Sequence, residues 1–180
     1  LARAARDRGA NVALIVGAIA VAPPTGMEVI EAASAAAMKA AVEQATAGCD
    51  ALVMAAAVGD YTPAAAAGQK IKKTGDGLSL ELTPTDDILA GLSGGFIKVG
   101  FAAETENLLE NARAKLAAKS LDAIVANDVA ASGLGFGSGM NRVQIIRRDG
   151  PITEAGPAPK RAIAEKVMDV VVELLGGSQQ

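Results

Sequence analysis

Histidine is absent from this chain of 180 residues, cysteine occurs once, and aromatic residues make up only 2%. The lack of histidine excludes Ser-His-Asp triads, histidine general bases and His-ligated zinc. A single cysteine, Cys49, excludes disulfide frameworks and CxxC motifs, and this usage predicts a cytoplasmic location. The scarcity of aromatics and a net charge of −3 argue against nucleic acid as a partner, because such binding needs stacking rings or a basic surface.

Long apolar runs are also missing. No segment reaches the roughly 18 unbroken apolar residues that a membrane span needs, and the apolar stretch 12–22 ends at Pro23 and Pro24. The N-terminus lacks the order of regions that defines a signal peptide. We therefore expect no membrane partner. With 51% apolar and 21% charged residues, the chain has the composition of one folded domain with a sizeable core.

Short apolar runs alternate with helical segments along the chain. This alternation predicts an α/β fold, a Rossmann-like, mostly parallel sheet in three layers with helices on both faces. The predicted strands are 11–16, 27–31, 50–56, 97–101, 123–126 and, as the last one, 143–146. The predicted helices are 34–48, 86–92, 106–119 and a final helix that starts near Pro159.

The alternation stops between residues 59 and 83. Segments 70–73 and 78–82 are joined by Thr74-Gly75-Asp76-Gly77, and Asp-Gly between extended segments is typical of a hairpin turn. The sequence therefore predicts a β-hairpin outside the main sheet, at about residues 69–83. Such a hairpin serves as a flap or as a dimerisation arm.

The chain opens inside a helix, at residues 1–8. A doubly wound nucleotide-binding domain instead opens with a strand and a Gly-rich turn. We therefore expect residues 1–180 to be one nucleotide-binding domain from which the N-terminal strand and Gly-rich loop are missing.

Two motifs carry groups suited to a nucleotide. Asp60 follows a strand, at the edge where open α/β sheets bind ligands; it accepts hydrogen bonds there, helps to hold a metal, or is a solvated turn residue. Lys70 and Lys72 share one face if their segment is extended. Two ammonium groups suit a polyphosphate, or alternatively protect an edge strand against aggregation.

Three further positions have two interpretations each. Phe101 stacks on a base or belongs to the core. Lys115 and Lys119 are four residues apart on a helix and either hold phosphates together or form a solvated face. Asn127 follows a strand and either fixes a turn or binds a ligand amide.

Taken in order, these motifs resemble one family. AAxVxDY at 55–61, KIKK at 70–73, GFAAET at 100–105, a helix with two lysines, and ANDV at 126–129 look like phosphopantothenoylcysteine synthetase, the bacterial phosphopantothenate–cysteine ligase. The resemblance covers nearly the whole chain. One departure is Thr85-Asp86-Asp87-Ile88, where the family more often reads Asn-Pro-Asp-Ile.

The resemblance implies a ligase of coenzyme A biosynthesis. It joins 4′-phosphopantothenate to cysteine with CTP as cosubstrate, through an acyl-cytidylate, and uses Mg²⁺. In this family FMN belongs to a decarboxylase half that is often fused to the ligase and that this chain does not include. The resemblance also implies a homodimer, and we expect the hairpin at or near its interface.

The family motifs also assign residues. Lys70 is implied as the catalytic lysine at the triphosphate, and Asn127 as a substrate or turn residue. The implied nucleotide-binding residues are Leu52, Val53, Met54, Asp60, Lys70, Thr83, Pro84, Thr85, Asp86, Phe101, Lys115 and Lys119. Two other functions remain open: an NAD(P)-dependent Rossmann oxidoreductase, with Glu31 as the ribose-binding acid, and a non-catalytic nucleotide-binding domain.

Overall fold

A computed structural model describes residues 1–65, 67–73, 75, 77–104, 106–128 and 138–177, and at Asp128 only the backbone. The helices in these ranges are α1 (Ala2–Arg6), α2 (Ala35–Thr46), α3 (Ile88–Gly91), α4 (Leu108–Ala118) and α5 (Lys160–Gly177). The strands are β1 (Ala13–Val16), β2 (Glu28–Glu31), β3 (Ala51–Met54), β4 (Tyr61–Pro63), β5 (Leu82–Pro84), β6 (Ile97–Glu104), β7 (Ala123–Asp128), β8 (Met140–Arg147) and β9 (Thr153–Pro159). Thr74 and Asp76 of the predicted turn, Thr105 of GFAAET and Val129 of ANDV lie outside the described residues.

The main sheet has the strand order β3-β6-β7-β8-β9. β3, β6 and β7 are parallel, whereas β8 is antiparallel to both of its neighbours. β9 therefore runs in the direction of the first three strands, and four of the five strands point the same way. This arrangement confirms the predicted mostly parallel sheet. β1 and β2 pair in parallel as a separate two-stranded sheet.

Helices pack on both faces of the main sheet. On one face, Val167 of α5 packs with Val125 and Ile145 in one apolar cluster. On the other face, Leu116 of α4 packs with Ile124 in a second cluster. Each such side chain stabilises the fold by about 1.5–3 kcal/mol when it is fully buried. The predicted three layers are confirmed.

Local sequence signals explain where two of the helices begin. Ser34 Oγ accepts a hydrogen bond from the Ala37 amide at 3.1 Å and so caps α2. Asp87 Oδ1 accepts one from the Ala90 amide, also at 3.1 Å, and caps α3. Both side chains satisfy amides that lack a partner in the first helical turn. Within the described ranges, no helix is long and apolar enough to cross a membrane.

The prediction that 143–146 is the last strand was wrong. β9 follows it and pairs with β8 along the edge of the sheet. Its sequence contains Gly156, Pro157 and Pro159, which are typical of loops. An edge strand tolerates proline because one side of its backbone needs no partner. The pairing also shifts in register between Asn141 and Val143.

The predicted hairpin also lies elsewhere than expected. Segments 70–73 and 78–81 are not strands, and the antiparallel pair is formed by β4 and β5, with Tyr61 opposite Pro84 and Pro63 opposite Leu82. Lys70 and Lys72 therefore do not lie on one strand. The physical reason is that 70–73 and 78–81 are exposed, so no buried face fixes a strand register there.

Candidate functional site

A cleft of about 340 Å³ lies beside the C-terminal end of β3. Three segments form most of its wall: the loop after β3, the segment from β5 into α3, and the middle of β6. Lys119, the residue that follows α4, closes one side. The lining residues are Met54, Ala56, Val58, Gly59, Asp60, Tyr61, Pro84, Thr85, Asp86, Asp87, Ile88, Leu89, Phe101 and Lys119.

The short β4–β5 ribbon brings two of these segments together. Asp60 immediately precedes β4, and Thr85 immediately follows β5. Because the two strands are antiparallel, these residues become neighbours, and the Thr85 amide donates to the Asp60 carbonyl at 2.8 Å. The ribbon therefore sets the distance between the Asp60 loop and the wall that leads into α3.

Two lysines neutralise acidic residues of the wall. Lys119 Nζ lies 3.0 Å from Asp87 Oδ2, and Lys39 Nζ lies 2.6 Å from Asp86 Oδ2. The hydrogen bond from Lys39 lowers the pKa of Asp86, and the same bond raises the pKa of Lys39. Burial acts to raise the pKa of Asp87, but hydrogen bonds from Ala90 and Lys119 outweigh it, so that the pKa is lowered overall.

Two polar groups of the cleft have no protein partner among the described residues. The Thr85 hydroxyl oxygen is buried and makes no hydrogen bond to any of them. In the part of the chain that the structure describes, no cation or donor holds the Asp60 carboxylate, and the residue is exposed. A buried polar atom without a partner costs about 1–3 kcal/mol. Thr85 therefore has hydrogen-bonding capacity that a ligand in the cleft can satisfy.

Seven of the predicted site residues line this cleft together: Met54, Asp60, Pro84, Thr85, Asp86, Phe101 and Lys119. The others do not line it. Leu52 and Val53 belong to β3, and Thr83 belongs to β5. Lys70 is exposed in the segment that connects β4 to β5.

Lys115 of α4 and Lys119, the residue after that helix, have separate partners. Lys115 Nζ lies 2.6 Å from Glu104 Oε1, and Asn111 donates to the other oxygen of the same carboxylate at 3.1 Å. Lys119 instead pairs with Asp87, as described above. The predicted shared helix face is therefore divided between two carboxylates. Asn127 lies in β7, and its Oδ1 is buried without a partner among the described residues.

Sequence reasoning missed three charged residues near the cleft. Asp87 enters the sequence-based predictions only within the motif at residues 85–88, although its position just before an apolar helical run is a signal for an N-cap. Lys39 offers no sequence signal, since its partner Asp86 is 47 residues away. Lys98 is buried at 8% exposure, and its signal is one charge inside the apolar strand 97–101.

The donor set of the described residues does not form a metal cage. No group of three or more His, Cys, Asp or Glu residues that could hold a metal occurs in the described ranges. Asp86 and Asp87 are each paired with a lysine. Asp60 is the cleft carboxylate that remains open, and one carboxylate together with substrate phosphates is a common way to bind Mg²⁺.

The sequence of this chain is similar to those of known proteins over nearly its whole length. The family described as the DNA/pantothenate metabolism flavoprotein C-terminal domain matches residues 1–175. The coenzyme A biosynthesis bifunctional protein CoaBC of Bacillus subtilis is 42% identical over 178 residues, which is 97% of this chain and 44% of that protein. The protein of the same name from Vibrio parahaemolyticus is 39% identical over 181 residues, 97% of this chain and 45% of that protein.

A solved structure is similar over the same range. The crystal structure of the C-terminal domain of coenzyme A biosynthesis bifunctional protein CoaBC superposes with a TM-score of 0.81 at 31% sequence identity. The match covers 98% of this chain and 80% of that one. The chain thus spans four fifths of that solved domain and about half the length of the two curated relatives.

Proposed function

Because this chain belongs to the family of the DNA/pantothenate metabolism flavoprotein C-terminal domain, we propose that it is a CTP-dependent phosphopantothenate–cysteine ligase domain of coenzyme A biosynthesis. The observation that carries the proposal is the cleft beside β3. Seven residues that the family resemblance assigns to a nucleotide come from four separate stretches of the chain and line this one cleft. The names of the two curated relatives support a role in coenzyme A biosynthesis.

The proposed reaction has two steps. The carboxylate of 4′-phosphopantothenate attacks the α-phosphorus of CTP, the bond to the β-phosphate breaks, and pyrophosphate leaves. The amine of cysteine then attacks the acyl carbon of the acyl-cytidylate. An amide forms, CMP leaves as the C–O bond breaks, and the amine loses a proton. Neither step needs a protein nucleophile, which agrees with a chain that has no histidine.

The residues of the cleft divide this task. Phe101 provides an apolar surface for the nucleotide, and Thr85 a hydroxyl in need of a partner. Lys119 supplies a positive charge that is now paired with Asp87. Lys70, on the exposed segment between β4 and β5, is free to neutralise charge that develops on the phosphates. Such positioning and charge neutralisation contribute most of the catalysis of phosphoryl transfer.

Mg²⁺ fits this site as a partner of the substrate phosphates. Its role when bound is to neutralise phosphate charge. In the described part of the cleft, Asp60 is the carboxylate without a lysine partner, and we assign it as the protein ligand. Asp86 and Asp87 keep their lysines and so limit the negative charge that faces the nucleotide.

The decisive experiment measures pyrophosphate release by the natural full-length protein. CTP, Mg²⁺ and 4′-phosphopantothenate are supplied with and without cysteine. We expect release that depends on 4′-phosphopantothenate and that cysteine accelerates. Release with ATP but not with CTP would correct the nucleotide, and the absence of release with either would refute the ligase. Binding of NADPH in place of CTP would favour the oxidoreductase.

We also propose that the protein is a homodimer. Leu78, Leu80 and Leu82 alternate with polar residues in the sequence and are each more than half exposed, as is Ile71. Several exposed leucines close together in the chain provide an apolar surface that a second copy of the chain can cover. Light scattering on the natural protein should give twice the monomer mass. The double substitution Leu78→Ser with Leu80→Ser should give the monomer mass, whereas Val172→Ser, which replaces an equally exposed residue of α5, should not.

A further inference from the structure

Lys98 is a buried charge without a carboxylate partner for its ammonium among the described residues. It lies in β6 with 8% of its surface exposed. Its Nζ donates to the Leu92 carbonyl at 2.9 Å and to the Lys119 carbonyl at 3.1 Å. Burying an ammonium is costly unless hydrogen bonds compensate for it. A lysine at this position therefore serves a purpose that an apolar strand residue would not.

Both carbonyls that Lys98 binds end a helix. Leu92 is the residue after α3, and Lys119 is the residue after α4. Carbonyls at a helix C-terminus lack amide partners within the helix, and they carry partial negative charge. A cation placed between two such ends satisfies both of them. Lys98 thus joins the C-terminal ends of two helices that are not adjacent in the sequence.

The backbone of Lys98 is held as firmly as its side chain. Its amide donates to Asp122 Oδ2 at 2.8 Å, and its carbonyl accepts from the Asp122 amide at 2.9 Å. Asp122 immediately precedes β7. The backbone of Lys98 is therefore fixed to the sheet independently of the contacts that its side chain makes with the two helix ends.

These contacts form a closed ring that includes α3, which contributes to the wall of the cleft. From Lys98 the ring runs to the Lys119 carbonyl, and from the Lys119 ammonium to Asp87. Asp87 caps the start of α3, and Leu92 at the end of that helix returns to Lys98. Asp87 and Lys119 line the cleft, whereas Lys98 is absent from its lining.

We propose that Lys98 is a positioning residue that holds the Lys119 ammonium and the α3 wall in place for the nucleotide. It touches no substrate and acts through Lys119. The proposal rests on the proposed function, because it assigns Lys119 to nucleotide binding. It goes beyond that function by giving a role to a residue outside the cleft.

A double-mutant cycle on the natural full-length protein tests this role. Lys98→Met and Lys119→Met are made singly and together, and the KM for CTP and kcat are measured by pyrophosphate release. If Lys98 acts through Lys119, each single variant should raise the KM for CTP about tenfold. The KM of the double variant should then exceed that of Lys119→Met alone by less than about twofold, because the effects of substitutions in one network of contacts are not additive.

Two further variants separate positioning from loss of fold. Ile163→Ala shortens a buried side chain of α5 that does not line the cleft, and it should lower stability while the KM for CTP stays unchanged. Lys98→Gln keeps one donor for a carbonyl and replaces Lys98→Met in the cycle if that variant does not fold. A KM increase in Ile163→Ala equal to that in the Lys98 variant would overturn the proposal.

The outcomes distinguish this proposal from the function on which it rests. If the wild-type protein releases pyrophosphate and the effects of the two lysines multiply, Lys98 does not act through Lys119 and only the positioning role is refuted. If the wild-type protein neither binds CTP nor releases pyrophosphate, the ligase function is refuted and the positioning role with it. If the wild-type protein is active and the effects of the two substitutions on the KM do not multiply, both the ligase function and the positioning role are supported.

Discussion

The ammonium of Lys119 lies 3.0 Å from Asp87 Oδ2, while the other oxygen of that carboxylate accepts the Ala90 amide at 3.1 Å. One carboxylate therefore pairs with a lysine of the cleft and caps the helix that forms the cleft wall. A helix cap contributes about 1 kcal/mol, and a partly exposed ion pair less than that. The value of this pair lies more in placing Lys119 than in stabilising the fold.

The lowered pKa of Asp87 predicts how stability depends on pH. Its hydrogen bonds favour the charged form in the folded state, so the folded pKa lies below the unfolded one. The resulting stability is fully present above the unfolded pKa of about 4. It is lost as the pH falls further, through the folded pKa. Urea unfolding between pH 7 and pH 3 should therefore show a falling free energy of unfolding below about pH 4.

Asp87→Asn is the matched variant for this measurement. Asparagine caps a helix as well as aspartate does, so the variant should lose less than about 1 kcal/mol at pH 7. Its free energy of unfolding should fall less steeply than that of the wild type below pH 4. Identical slopes in the two proteins would show that Asp87 does not contribute to the acid sensitivity.

Thr85→Val should separate binding from stability. Valine has nearly the shape of threonine but no hydroxyl, and the Thr85 hydroxyl oxygen is buried with no partner in the described ranges. The unliganded protein should therefore be as stable as the wild type or more so. Affinity for CTP, measured by calorimetry, should fall about tenfold if the nucleotide supplies the missing hydrogen bond. Unchanged affinity together with unchanged stability would mean that the ligand does not reach Thr85.

Lys70→Gln should affect the reaction but not the fold. The residue is exposed and has no partner among the residues described, so thermal unfolding should be unchanged. The kcat for pyrophosphate release should fall by about 10²–10³, by analogy with the loss of one donor that stabilises transition-state charge. Lys166→Gln, an exposed lysine of α5, is the control and should keep full activity. A similar kcat in both variants would remove Lys70 from catalysis.

The parts of the fold that the sequence predicted are those with local signals. β6 reads as a buried apolar run, and α2 begins at Ser34, which caps it. The alternation of strands and helices was enough to predict a mostly parallel sheet. These signals depend on neighbours in sequence, so one sequence suffices to see them.

The errors arose where contacts between distant residues decide the outcome. β9 contains two prolines and a glycine, and it is a strand because β8 offers it an edge. The β4–β5 ribbon likewise depends on a pairing of residues about twenty positions apart. In the cleft, the partner of Lys119 is 32 positions away in the chain, and the helix ends that Lys98 binds become neighbours only after folding. No local pattern records such pairs.

Gly100 explains how closely the cleft wall packs against the sheet. It lies in β6, and a Cβ added there would meet Leu121 Cδ1 at 2.8 Å and Leu89 Cδ1 at 3.3 Å. Leu121 is fully buried, and Leu89 lines the cleft. A side chain at position 100 would therefore force a buried leucine and a leucine of the cleft lining to shift.

Gly100→Ala should cost about 1–3 kcal/mol of stability, because both leucines must shift in a filled space. Leu121→Ala alone should cost about 2–5 kcal/mol by leaving a cavity. In the double variant the new methyl group occupies part of that cavity, so the total loss should be smaller than the sum by about 1 kcal/mol or more. Urea unfolding of the four proteins measures this coupling, and additive losses would contradict the packing described. Gly176→Ala, which has open space at its Cβ, is the control and should not destabilise the protein.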